Sequence, residues 1–165
     1  MKGGATFNTH GLDAVLSMGK RLEKLRGMTV KTGIQKGYAD DKGGLIATYA
    51  AHNNFGTKNA MGGVLIPARP FMVYSAKGIQ KWLEGPEFAE AVFRMNAGRM
   101  RPEQVARLIG NRSVKITKEN ILKSDQYVEN SKETLARKRA KNQGDKPLQA
   151  SMSMYKAVRY VIVKG

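Results

Sequence analysis

His10 and His52 are the only imidazoles in the chain, and there is no cysteine. A zinc site needs three or four converging nitrogen, sulfur or carboxylate ligands, and this pair, far apart in sequence and without a thiolate, does not supply them. Asp40 and Asp41 are adjacent carboxylates. On a turn such neighbours point apart and stay solvated, a poor arrangement for general acid–base work. Gly19-Lys20 lacks both the earlier glycine and the following hydroxyl residue of a phosphate loop, and no serine stands in a nucleophile elbow. The expectation is that the chain holds no catalytic residue, no cofactor and no metal.

The remaining chemistry is electrostatic. The 165 residues carry 29 Lys+Arg against 13 Asp+Glu, a net charge of +16. The excess is concentrated from Arg94 onward, where 17 basic residues face 6 acidic ones. Such a field attracts polyanions: nucleic acid, an acidic membrane surface or an acidic protein. The densest cluster is Arg137, Lys138, Arg139 and Lys141. Four cations within one and a half helical turns repel one another and are expected to face water or a polyanion. No aromatic residue interleaves them to stack bases, which favours a solvated face over a single-strand platform.

The elements that must carry these groups follow from pattern. A hydrophobic fraction of 41% in one chain of this length suits a single domain, 1–165, with a real core. Leu12, Val15, Leu16, Leu22 and Leu25 share a helical face, capped by Asn8 or Thr9 and stopped by Gly27. Met28–Ile34 alternates with period 2 and reads as a strand. Leu45–Asn54 reads as a helix with Leu45, Ile46, Tyr49 and Ala50 inward, and the 58–63 stretch as a mobile loop. Ser75–Leu83 is a further helix. Pro86 and Pro102 each sit where a first helical turn begins. Glu103 is placed to pair with Arg107 four residues on, and Gly110 to end its helix before another at Thr117–Lys123. Residues 131–146 form a basic, mobile segment, helical at most over Ser131–Lys141. The run from Ala157 to Val163 has high β propensity. Together these give an α+β fold: a small, mostly antiparallel sheet packed by a long N-terminal helix and several short ones. No window approaches the roughly 20 apolar residues of a membrane span, and no secretory leader is visible, so the chain is expected to be soluble when made.

Two blocks stand out from this background. The first is Phe55-Gly56-Thr57, then Ile66-Pro67-Ala68-Arg69-Pro70-Phe71; the second is Lys146-Pro147-Leu148, leading to Ala157–Val163. The two prolines stiffen the first block, and a segment already stiff loses little entropy on docking. Its residues Phe55, Gly56, Thr57, Pro67, Arg69, Pro70 and Phe71 are therefore candidates for a subunit contact.

The order and spacing of these blocks resemble the tail-completion or neck proteins of tailed bacteriophages. Pro102-Glu103-Gln104-Val105-Ala106 through Leu108-Ile109-Gly110 is similar to the family's helix, and Ser131, Thr134 and Lys138 to its spaced Ser/Thr/Lys pattern. The chain departs where Gln149-Ala150-Ser151-Met152 replaces the acidic residue, threonine and glycine that commonly follow Lys-Pro-Leu. The resemblance implies a non-enzymatic virion protein forming a homo-oligomeric ring, expected to be a hexamer, at the head–tail junction. Its partners would be connector or head-completion proteins, the tail tube or tail terminator, and the genomic DNA, with no membrane. It would be found in the virion, and in the host cytoplasm during assembly. The alternatives are a basic nucleic-acid-binding protein and, more remotely, a small nuclease using His52 and Asp41.

Overall fold

A computed structural model describes residues 10–39 and 43–165. Its axis is a 21-residue helix near the middle of the chain. In order the elements are α1 (His10–Arg26), β1 (Met28–Ile34), α2 (Ile46–Phe55), β2 (Thr57–Lys58), β3 (Val64–Ile66), α3 (Phe71–Leu83), α4 (Pro86–Asn96), α5 (Pro102–Leu122), α6 (Lys132–Arg139), α7 (Ser153–Ala157) and β4 (Val158–Lys164). The α+β expectation holds: two small antiparallel sheets, β1–β4 and β2–β3, pack with several helices. The proposed helix caps Asn8 and Thr9 and the pair Asp40–Asp41 lie outside the described residues.

β1 and β4 pair antiparallel from Met28 opposite Lys164 to Ile34 opposite Val158. This ribbon covers α5, and the cover explains a departure from the sequence reading. Gly110 does not stop a helix; α5 runs straight through it to Leu122. A Cβ at Gly110 would lie 2.3 Å from Cδ2 of Tyr160, so the glycine is what lets the β4 ring lie against the helix backbone. Close approach recurs between α3 and α5. Ser75, Ser113 and Thr117 are buried, and the hydroxyls of Ser75 and Thr117 donate back to the carbonyls of Phe71 (2.6 Å) and Ser113 (2.9 Å) within their own helices. Small side chains that satisfy themselves this way leave no orphan polar group in a helix–helix contact.

Pro86 and Pro102 open α4 and α5 as expected, and the carboxamide of Gln104 accepts from the Arg101 N–H at 2.8 Å to tie the first turn of α5. Glu103, however, does not pair with Arg107. It takes the Lys24 ammonium at 2.7 Å and so anchors the end of α1 where α5 begins. Arg21 makes a second tie, donating from Nη1 to the Asn96 carbonyl at 2.9 Å. At the other end of α5, the core gathers Ile46, Ala50, Phe71, Ile121, Tyr127, Met154, Ala157 and Val158. The Tyr127 hydroxyl donates to the Asn120 carbonyl at 2.8 Å.

Candidate functional site

The two sequence blocks, distant along the chain, face each other across one groove. The first block folds into a single unit. Gly56 (φ +74°) lies so close to the returning chain that a Cβ there would meet the Ile66 carbonyl oxygen at 2.8 Å and the Ala68 nitrogen at 2.9 Å. Thr57 pairs with Ile66, and the Arg69 N–H donates to the Asn53 carbonyl at 2.7 Å. The buried Asn54 side chain accepts from the Met72 N–H at 3.0 Å, filling the role of a cap on α3. The stretch between the strands, read from sequence as a loose loop, is a hairpin turn: Asn59 Oδ1 accepts from the N–H groups of Met61 (3.1 Å) and Gly63 (2.8 Å).

Arg69 and Phe71 correct the expectation that their side chains reach a neighbouring subunit. Phe71 lies in the core at 1% exposure, and Arg69 is buried at 5%. The guanidinium holds residues 128–130, which follow α5: Nε donates to the Val128 carbonyl (2.9 Å), and Nη2 to the Glu129 carbonyl (3.2 Å) and Asn130 Oδ1 (3.1 Å). Nη1 makes a long bond, 3.4 Å, to Asn53 Oδ1. Pro67 and Pro70 are half-buried, as are Gly56 and Thr57. What this block does present to solvent is apolar: Phe55, Met61, Val64 and Leu65 are all exposed, Met61 at 93%.

The basic cluster is also corrected. Residues 131–146 are not a loose charged run. Ser131 caps α6 by accepting from the Thr134 N–H (3.3 Å), and Asn130 donates to the Asp145 carbonyl (2.6 Å). Lys138, expected to face water, is buried at 6% exposure and donates to the Lys146 carbonyl at 2.6 Å. Burial pushes its ammonium pKa down, with Asp145 pulling the other way and the charge of Arg69 adding to the fall. Arg139 forms a forked pair with Asp145 (2.8 and 3.3 Å), which holds that carboxyl below its ordinary range. Arg137 and Lys141 remain outward.

The groove between the blocks measures about 560 Å³. Arg69 and Lys138 lie in its lining, with Val64 and Leu65 on one side and Leu148 and Met152 on another. Leu148 (φ +62°) and Met152 (φ +58°) are left-handed non-glycine residues, a backbone that bulky side chains seldom adopt. They bracket Gln149-Ala150-Ser151, and α7 intervenes between Lys146-Pro147-Leu148 and β4.

A second apolar surface lies on α1. Leu12, Val15 and Leu16 are more than half exposed and Leu22 is also exposed, while Met18, Arg21 and Leu25 turn toward the body. The stripe read from sequence is therefore real, but much of it has no partner among the described residues. His52 is exposed on α2. Among the described residues no group of three or more His, Asp or Glu is placed to hold a metal, and no helix is long and apolar enough to cross a membrane. No known family model, curated protein or solved structure matches this chain.

Proposed function

We propose that this chain is a structural protein of a tailed-phage virion, one subunit of a homo-oligomeric ring at the head–tail junction that completes the tail and joins it to the connector. The observation that supports this reading is a pair of unlike apolar surfaces left exposed among the described residues. One is the outer face of α1, whose end is anchored where α5 begins; the other is the Phe55–Leu65 hairpin region, anchored by Arg69 to the segment that follows α5. The 21 residues of α5 separate these anchors by about 30 Å at 1.5 Å per residue. Two different patches on one chain suit a head-to-tail contact, which closes into a ring when the rotation permits. The resemblance of the two blocks to neck proteins adds the location, and the charge of +16 suits a position beside DNA or an acidic neighbouring ring.

The test is the mass of the purified chain at several concentrations and two salt levels, by light scattering after size exclusion. A closed oligomer, or a monomer that forms rings only with connector or tail-tube protein, is expected. Leu16→Asp and Leu65→Asp should each weaken assembly, because each places a charge on one of the exposed patches. A monomer indifferent to those partners that shifts onto DNA at low salt would favour the nucleic-acid-binding alternative.

A further inference from the structure

Arg69 and Lys138 form an unusual pair: two buried cations in one groove, neither bonded to a carboxylate among the described residues. Every acceptor they have is an amide oxygen. A guanidinium carries five N–H donors and an ammonium three. One Nη1 hydrogen of Arg69 and two hydrogens of Lys138 have no acceptor among the described residues. Carbonyl dipoles ease the burial of a cation but leave its formal charge in place, and two such charges side by side raise the cost of keeping both ionised. The carboxylate that acts on Lys138, Asp145, is already engaged by Arg139. The groove thus has a floor of two cations with no carboxylate bonded to either among the described residues, an exposed Glu129 elsewhere in its lining, and walls built from Val64, Leu65, Leu148 and Met152.

We infer that this groove binds an acidic, aliphatic-flanked peptide segment of another protein, with a carboxylate reaching Arg69 and Lys138 and the neighbouring side chains lying on the apolar walls. Charge complementarity selects the carboxylate, and the depth of the cations selects a peptide over a nucleic acid. At 5% and 6% exposure they sit too deep for the phosphates of a duplex, whereas a Glu side chain extends a charge inward on flexible methylenes. The volume of about 560 Å³ lies in the range of sites that take a few side chains. The inference stands on the groove alone, whether or not the chain forms a ring.

The experiment is selection of a random heptapeptide display library on the immobilised full chain. Anisotropy with a fluorescein-labelled synthetic peptide of the recovered sequence follows. Recovered sequences should carry Asp or Glu beside aliphatic residues, and replacing that acid by its amide should weaken binding at least tenfold. Lys138→Met should weaken it by a similar factor. So should Leu65→Glu, whose exposed position spares the fold while setting a negative charge at the rim. Lys77→Gln with Lys81→Gln removes two exposed charges on α3 and should leave the affinity within twofold. The inference is overturned if selection yields no acidic preference, or if the two α3 substitutions weaken binding as much as Lys138→Met. It is also overturned if a single-stranded oligonucleotide displaces the peptide from the parent chain, which would make the groove a nucleic-acid site.

Discussion

Replacing Gly110 by alanine sets helix propensity against tertiary packing, and the structure says which wins. The new Cβ would lie 2.3 Å from Tyr160 Cδ2 and 2.5 Å from Cε2 and Cγ, where carbon atoms in contact sit about 3.5–4.0 Å apart. The ring must therefore retreat by about 1 Å or more. Tyr160 is fixed in the β1–β4 ladder opposite Thr32, so the displacement reaches the strand. Overpacking of this kind costs about 1–3 kcal/mol, while exchanging glycine for alanine within a helix returns about 1 kcal/mol. A clash with three ring atoms held by a strand takes the upper half of the overpacking range, about 2–3 kcal/mol, so the expected net loss is about 1–2 kcal/mol, or a Tm lower by about 2–8 °C for a chain of this size. Thermal and urea unfolding followed by circular dichroism would measure it. Gly19 is the internal control: it lies within α1 with nothing within 4 Å of its virtual Cβ, so Gly19→Ala should raise stability by about 1 kcal/mol. Adding Tyr160→Val to Gly110→Ala should recover part of the loss by removing the ring. A Gly110→Ala chain as stable as the parent, or more so, would refute the packing argument.

Arg69→Met should destabilise the chain by about 3 kcal/mol, since charge-assisted bonds are lost and buried carbonyls are left unpaired, and amide exchange should rise first at 128–130. Ser131→Ala should cost about 1 kcal/mol through loss of the α6 cap, read as lower helicity of α6 by NMR. Burial pushes the Tyr127 phenol up to about 12, against about 10 for a free tyrosine. The folded state therefore keeps a proton that the unfolded state loses, and this contribution to stability, complete below about pH 10, should fall away as pH rises toward the folded value. Absorbance at 295 nm should show a late-titrating component that Tyr127→Phe removes.

Local chemistry made much of the fold legible. Period 2 over Met28–Ile34 gave β1 with its observed bounds, and the positions of Pro86 and Pro102 marked two helix starts. Failures came where distant contacts override local signals. Gly110 looks like a stop until Tyr160, fifty residues on, is seen lying on it. The α1 stripe was legible as a pattern, but a pattern does not say whether its partner lies in the same chain. Within the basic cluster, one local cue was present: Thr134, Leu135 and Lys138 share a face of α6 by their spacing, so Lys138 turns inward with Leu135. Counted as charges alone, all four cations look alike.

That difference changes what the cluster can offer to nucleic acid. Lys138 is buried and Arg139 is paired with Asp145, which leaves Arg137 and Lys141 free to meet phosphate. Each neutralised phosphate of duplex DNA contributes about −0.9 to the slope of log affinity against log salt. Contact through this cluster alone should therefore give a slope near −2 rather than the value near −4 that four cations imply. Arg137→Gln with Lys141→Gln should bring the slope close to zero, measured by anisotropy on a labelled duplex from 50 to 200 mM salt. A steep slope that survives both substitutions would place the DNA contact elsewhere on the basic surface and remove the cluster as its source.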